Sequence, residues 1–403
     1  MGPVILRREA PNRSRLVTGQ TVRFAQDDKT HGLWTLAREA HSVPDVRILN
    51  LVAGEKWTGP AAVVFDQTAA LIAAGIEAQF AFVAGSPLAE RLLPLGWTRP
   101  LITHPRTPGN ALRDARCLRE TVLREKFDIL HAHTTHDHAL AVLAARGTPA
   151  RLARTIHHRR YALPGPASGL LFRRTRGFAF ANCAIAEAFG GPGAVLAPVV
   201  DTERFRPGPD HAATRERFGM PKGLLIAGTV GKMAADRGHE QAIRAASRVP
   251  SLGLAHVGHG ERMPDLKARA AVLGASAMNF WLGYQEDALP DLYRSWDIFL
   301  FTASGSDQGH RAILEAMACG LPIVALDIPG VRDFVTDGEE GFVAADVEGL
   351  SGALACLAES EEMRRRMGAK ARQRALAFTA ERFTDKAKAF YQGVLFPLPA
   401  GEG

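Results

Sequence analysis

Apolar residues fall along this chain in short continuous runs, each followed by a polar or glycine-containing loop and often by a helical pattern. Val46–Val52 is the first such run, and Ala61–Ala74, stopped by Gly75, has the spacing of a helix. Gln79–Ala84 predicts the next strand and Leu112–Lys126 an amphipathic helix. Asp128–His133, Leu152–His157 and Ala181–Ala186 predict three more strands. A second series starts at Leu224–Val230 and continues with Leu254–Gly260, Met278–Gly283, Ile298–Thr302 and Ile323–Leu326. A helix over His310–Cys319 separates the last two and closes at Gly320, with Pro322 just beyond. A final helix, Thr379–Leu395, carries an apolar stripe of Phe383, Ala387 and Tyr391. Strands that are apolar throughout, instead of alternating, are covered on both faces, which is the habit of parallel α/β sheets.

Composition narrows the class. At 403 residues, with 46% hydrophobic and 23% charged residues, the chain has material for two or three globular domains. Cys117, Cys183, Cys319 and Cys356 are far apart and form no CxxC pair, so they are expected to be reduced and to hold no metal. No apolar run reaches membrane-spanning length and no signal-peptide pattern opens the chain, so the expected location is cytoplasmic or peripheral on the inner membrane face.

The net charge of +7 is uneven. No acid lies between Asp137 and Glu187, a stretch with Arg146, Arg151, Arg154, Arg159, Arg160, Arg173, Arg174 and Arg176. Such asymmetry points to an anionic partner, either a phosphorylated acceptor or an anionic membrane surface, unless acids elsewhere in the fold neutralise it. Nothing in it calls for nucleic acid. Tyr161–Phe180 mixes these arginines with Leu163, Leu170, Leu171 and Phe172, as a surface-docking segment or an ordinary acceptor-side helix would. Residues 1–45 look like a basic extension, with Arg7, Arg8, Arg13, Arg15 and Arg23 against Glu9 alone in its first half.

The chemistry gathers in Asp297–Val343. Asp307 sits in the loop after a buried strand, and Glu315 follows it on the next helix. Ligands of open α/β sheets bind at the carboxyl ends of strands, and a helix start favours phosphate. Glu315 shares its helix face with the small residues Ala312, Ala316 and Cys319, which leaves room for a close approach to its carboxylate.

This segment resembles the retaining GT-B glycosyltransferases of the family-four type, the glycosyl transferases group 1. Their signature is two glutamates separated by seven residues, then Ala-Met-Ala-Cys-Gly-x-Pro. Glu315, Ala316, Met317, Ala318, Cys319, Gly320 and Pro322 match it. Asp307 stands for the first glutamate, and Gln308-Gly309-His310 replaces the usual Gly-Phe-Gly. The resemblance covers about residues 46–395. It implies two Rossmann-like domains facing a cleft and a nucleotide diphosphate sugar, UDP- or GDP-linked, as donor. It also implies transfer of the sugar to a hydroxyl with retention, and no metal or other cofactor. Glu315 would hold the donor ribose, Asp307 the transferred sugar, and Gln308, Gly309 and His310 the sugar and phosphate.

Other matches extend the site. Gly231-Lys232 and Arg237-Gly238 correspond to the family's Gly-Arg-x-x-x-x-Lys-Gly, with the two cations exchanged in type. Charge builds on the diphosphate as the sugar leaves, and two cations in a cleft stabilise it. Gly59 stands where the family has a glycine pair, with Thr58 in place of its partner. Gly283 and Tyr284 fall where relatives touch the nucleobase. His157 ends a Thr-x-His pattern, which implies contact with a sugar hydroxyl or a phosphate. His131 and His133, at a strand's carboxyl end, could be ligands or proton carriers or could only bond loops, the reading favoured for them; with His136 and His138 they lack the cysteine or acid pattern of a metal site.

The implied organisation is a basic extension at 1–45, an acceptor-side domain at 46–207, a nucleotide-sugar domain at 208–378 and a helix at 379–403 crossing back to the first domain. A glycolipid or saccharide acceptor, as in lipopolysaccharide synthesis, fits the basic first domain. Two other classes share these features: a sugar-nucleotide epimerase of the same fold, and a catalytically silent relative that only binds nucleotide sugars.

Overall fold

The structure is a computed structural model that describes residues 46–54, 60–103, 107–163, 165, 168–208, 212–303 and 310–396. The first sheet is built from β1 (Arg47–Leu51), β2 (Glu77–Val83), β3 (Thr98–Ile102), β4 (Ile129–Ala132), β5 (Arg151–Ile156), β6 (Gly177–Phe180) and β7 (Ala194–Val195). The second holds β8 (Leu225–Val230), β9 (Leu252–Val257), β10 (Asn279–Gly283), β11 (Ile298–Phe301), β12 (Ile323–Leu326) and β13 (Gly341–Ala344). Spatial order is β3-β2-β1-β4-β5-β6-β7 in one and β10-β9-β8-β11-β12-β13 in the other, with every strand pairing parallel. Both sheets therefore start in the middle and wind outward in two directions. Each has a switch point where the order reverses, between β1 and β4 and between β8 and β11. Ligands of such sheets bind at these crevices.

The apolar runs are buried on both faces, as their lack of alternation implies. Leu49 and Leu51 face Leu118, Val122 and Leu140, while Ile48, Ile129 and Ala153 face Phe383, Ala387 and Tyr391. The terminal helix Ala380–Leu395 thus lies on the first sheet although it follows the second in sequence.

Two expectations are corrected. Ala181–Ala186 is not a strand: β6 ends at Phe180 and the helix Cys183–Phe189 follows. Asn182 caps that helix, its side-chain oxygen accepting from the Ile185 N–H, which satisfies a helix-start donor that a strand would not have. Among the described residues of Tyr161–Phe180, neither reading takes the form of a long helix. The segment contains a short helix, Gly169–Arg173, and then β6. Arg154 also leaves the exposed basic set. It is buried in β5 and donates to the Thr134 carbonyl, beside Asp137.

The carboxyl edges of the two sheets face each other. Arg311, in the helix His310–Ala318, pairs with Asp66 in the helix Pro60–Ala73 at 3.0 Å. Arg91 meets Glu286 at 2.7 Å, and the Cys183 N–H donates to Asp333 at 2.5 Å. Among the described residues, no helix is long and apolar enough to cross a membrane.

Candidate active site

At the second switch point, three loops are held together by close backbone contact. The Gly231 N–H donates to Val257 O, and the Gly258 N–H donates to Gly283 O. Gly258 has φ +138°, and a Cβ there would lie 2.0 Å from the Gly231 carbonyl oxygen. Gly238 has φ +69° and would bring a Cβ within 1.8 Å of Thr302 O, at the end of β11. The Lys232–Arg237 loop is thereby anchored to the strand that precedes Asp307.

Lys232 stands exposed and pairs with Glu261 at 3.1 Å. Arg237, half-buried, lies 3.5 Å from Asp236. Both cations sit just beyond β8, at the switch point. Tyr284 follows the left-handed Gly283 and stands exposed, parallel to the His259 ring at 6.4 Å. A hollow of about 490 Å³ beside it is lined by Arg217, Tyr284, Gln285, Glu286 and Asp291.

Glu315 is the best-enclosed acid here. Its side chain is 7% exposed. Arg311 Nε donates to one carboxylate oxygen at 2.9 Å, and the Tyr293 hydroxyl donates to the other at 3.0 Å. Arg311 then reaches across to Asp66. Burial and the neighbouring carboxylate push the Tyr293 phenol well above its ordinary range, so it stays a hydroxyl donor. Burial raises Asp66 to about 6 despite the opposing Arg311. Burial raises the nearby Cys319 thiol to about 12, which leaves it unreactive.

His310 opens the signature helix, with its ring buried against Phe334 at 5.1 Å. Gly59, Asp307, Gln308 and Gly309 lie outside the described residues.

At the first switch point, His131, His133 and His157 gather with Asn50. His131 bonds Tyr391 Oη at 2.8 Å and Thr155 Oγ1 at 2.7 Å. His133 bonds His157 at 3.1 Å and Asn50 at 3.1 Å. Asp137 fixes the loop after β1: its carboxylate accepts from the Ala53 N–H while completing a capping box with Thr134. Sequence reasoning missed Asp66, Tyr293 and Asn50. The Arg311–Glu315 pair was available from its i, i+4 spacing. Among the described residues, no three His, Cys, Asp or Glu side chains gather in a metal-holding group.

The buried histidines make the fold acid-labile. Burial is the largest cause in each case. It lowers His131, His138, His157 and His256 from 6.5 to about 3, His239 to about 4, and His133 well below 6.5. The unfolded chain takes up protons at these sites below 6.5 and the folded chain does not. Stability therefore falls as the pH drops from 6.5 toward 3. Asp66 and Asp137, raised to about 6, and Asp201, also raised by burial, act oppositely at acid pH, but six sites outweigh three. Each uncompensated proton changes stability by ~1.4 kcal/mol per pH unit. The melting temperature should be clearly lower at about pH 5 than at about pH 7.5. An equal or higher value at the lower pH would show that these imidazoles are not held neutral.

Comparison with known proteins agrees with this fold. Residues 210–374 match the model for glycosyl transferases group 1, and residues 57–187 match that for glycosyltransferase family 4. The first takes in the second sheet and the second most of the first sheet. The chain belongs to the group 1 glycosyltransferases. Similar curated proteins include the putative glycosyltransferase EpsD of Bacillus subtilis, 27% identical over 73% of this chain and 84% of the relative. A GDP-mannose-dependent alpha-(1-6)-phosphatidylinositol monomannoside mannosyltransferase of Mycolicibacterium smegmatis is 34% identical over 47% of this chain and 54% of its own length. The lipopolysaccharide core biosynthesis glycosyltransferase LpsE of Rhizobium meliloti is 28% identical over 43% and 52%. The match thus spans only about half the length of these last two relatives. Anabaena Alr3699/HepE, solved with UDP and glucose, superposes with a TM-score of 0.75 at 19% identity, over 86% of this chain and all of that one. At that identity the likeness is one of fold.

Proposed function

We propose that this glycosyltransferase moves a sugar from a nucleotide diphosphate sugar to a hydroxyl acceptor with retention, in the synthesis of a cell-envelope glycolipid or polysaccharide. The observation that carries the reading is Glu315, enclosed between Arg311 and Tyr293 at a switch point that also presents Lys232 and Arg237. A carboxylate has about four acceptor positions. Two are taken in this structure, which leaves two for the vicinal hydroxyls of a ribose. Lys232, Arg237 and the start of the signature helix would hold the diphosphate, and Tyr284 would lie against the base. Asp307 would take hydroxyls of the transferred sugar. Binding of UDP by HepE and of GDP-mannose by the mycobacterial relative support a nucleotide-sugar donor.

In the proposed step the bond between the anomeric carbon and the diphosphate oxygen breaks. The acceptor oxygen bonds that carbon from the same face. Negative charge develops on the departing diphosphate, opposite Lys232 and Arg237, and is neutralised when the diphosphate takes the acceptor's proton. No cofactor is needed for this balance, and none is proposed.

An anionic acceptor or membrane surface is part of the proposal. Leu163 and Leu170 stand 69% and 62% exposed in the same stretch as Arg159, Arg160 and Arg173. Flotation with anionic vesicles but not neutral ones is expected, and absence from both would remove the membrane.

Product analysis tests the reaction. With UDP-glucose or GDP-mannose and no acceptor, the donor should keep its sugar configuration. Appearance of a new nucleotide sugar would instead identify an epimerase.

A further inference from the structure

The histidine cluster at the first switch point has a proton arrangement that can be deduced bond by bond. Thr68, in the helix Pro60–Ala73, donates its single hydroxyl proton to the Val64 carbonyl at 2.6 Å. Towards Asn50, 3.0 Å away, the hydroxyl can then only accept, so Asn50 turns its Nδ2 to Thr68 and its Oδ1 to His133. An amide oxygen only accepts, so His133 Nε2 carries the proton. His133 is 3% exposed, with no carboxylate bonded to it, and its ring is neutral. Its Nδ1 is therefore bare and accepts from His157 Nε2 at 3.1 Å. The proton of neutral His157 is spent on that bond. No hydrogen bond joins Nδ1 of His157 to another described residue.

We propose that Thr68 and Asn50 are positioning residues that hold His157 in its Nε2–H tautomer, so that its bare Nδ1 meets the cleft as a hydrogen-bond acceptor for a hydroxyl of the transferred sugar. The arrangement rests on the structure alone; the identity of the hydroxyl rests on the proposed sugar transfer. It assigns one of the two roles open to His157. A bare nitrogen repels a phosphate oxygen, so the diphosphate is not its ligand. Burial beside Arg154 reinforces this by keeping the imidazole neutral well below physiological pH. The chain starts in the core of the first domain, where Thr68 is fully buried and Asn50 2% exposed. A change there moves the lone pair of His157 without touching the cleft.

The test uses the full chain with ¹⁵N-labelled histidine, free of ligand, and long-range proton–nitrogen NMR, with His157→Gln for assignment. The wild type should show His157 with a protonated Nε2 and an unprotonated Nδ1. Thr68→Val removes the acceptor that orients Asn50 and should give a mixture of His157 tautomers, whereas Thr68→Ser keeps the hydroxyl and should keep the single tautomer. With UDP-glucose or GDP-mannose as donor, Thr68→Val should lower kcat at least about fivefold, from the loss of one hydrogen bond. Its affinity for free nucleotide should be unchanged and Thr68→Ser should retain turnover. A purely structural role for Thr68 would lower both. His157 protonated at Nδ1 in the wild type, or one unchanged tautomer in Thr68→Val, overturns the assignment. The NMR result does not depend on turnover, so absence of sugar transfer with the expected tautomers would count against the proposed function only.

Discussion

Replacing Lys232 or Arg237 with alanine is expected to lower turnover by at least ~10²-fold while leaving the fold intact. The argument starts from where the two cations sit. Both lie at the carboxyl end of β8, on a loop pinned to β11 by the contact of Gly238 with Thr302. In the resting protein their partners are weak. Lys232 shares an exposed ion pair with Glu261, and Arg237 lies 3.5 Å from Asp236. Exposed pairs contribute ~1 kcal/mol or less to stability, so the variants should melt close to the wild type. Their work is expected in the transition state, where negative charge builds on the diphosphate in a partly dry cleft. The loss should therefore fall on kcat more than on the affinity for the intact donor. Equal turnover would remove either residue from that role. An equal loss in ground-state affinity would make it a binding residue only.

Arg311→Ala carries the second large effect. Arg311 is the only described cation bonded to Glu315, and it is also paired to Asp66 across the cleft. Without it, two carboxylates remain at the place where a nucleotide with its own negative charges is proposed to bind. Truncating one partner of an enclosed, hydrogen-bonded charge pair costs ~2 kcal/mol or more in binding, which corresponds to ~30-fold in nucleotide affinity. Arg311→Lys should recover only part of this. A point charge does not reproduce a planar fork that donates from Nε to Glu315 while Nη1 lies 3.0 Å from Asp66. Asp66→Asn should keep most of the affinity and flatten its pH dependence near 6, where burial places the Asp66 carboxyl. Wild-type affinity in Arg311→Ala, measured by titration calorimetry, would contradict the account of this triad.

Much of the fold was legible because its strands are buried on both faces and so appear as unbroken apolar runs. Leu225–Val230, Ile298–Phe301 and Ile323–Leu326 differ from the expected strands by one residue or none. Thr98–Ile102 was not legible. It is an edge strand carrying Arg99 and Pro100, and only Thr98 and Ile102 of its five residues are buried. Ala181–Ala186 misled because small apolar residues suit a strand and a helix equally. Asn182 was the cap signal that distinguishes them. At the site, Glu315 was legible through its signature, and Arg311 could have been read from its spacing to Glu315. Asp66 could not, since its ion pair depends on how two separate sheets face each other. Asn50 was hidden for a related reason. A lone amide in an apolar strand gains meaning only once β4 lies beside it and places His133 within reach.

The central claim, that Glu315 anchors a nucleotide at the second switch point, is tested most directly by thermal stabilisation with UDP, GDP and ADP at matched concentrations. A nucleotide at ~100 times its dissociation constant stabilises by ~2.7 kcal/mol, enough for a clear shift. The account predicts a shift with one of them that disappears in Glu315→Ala. No shift with any nucleotide, or a shift that survives in Glu315→Ala, would contradict it.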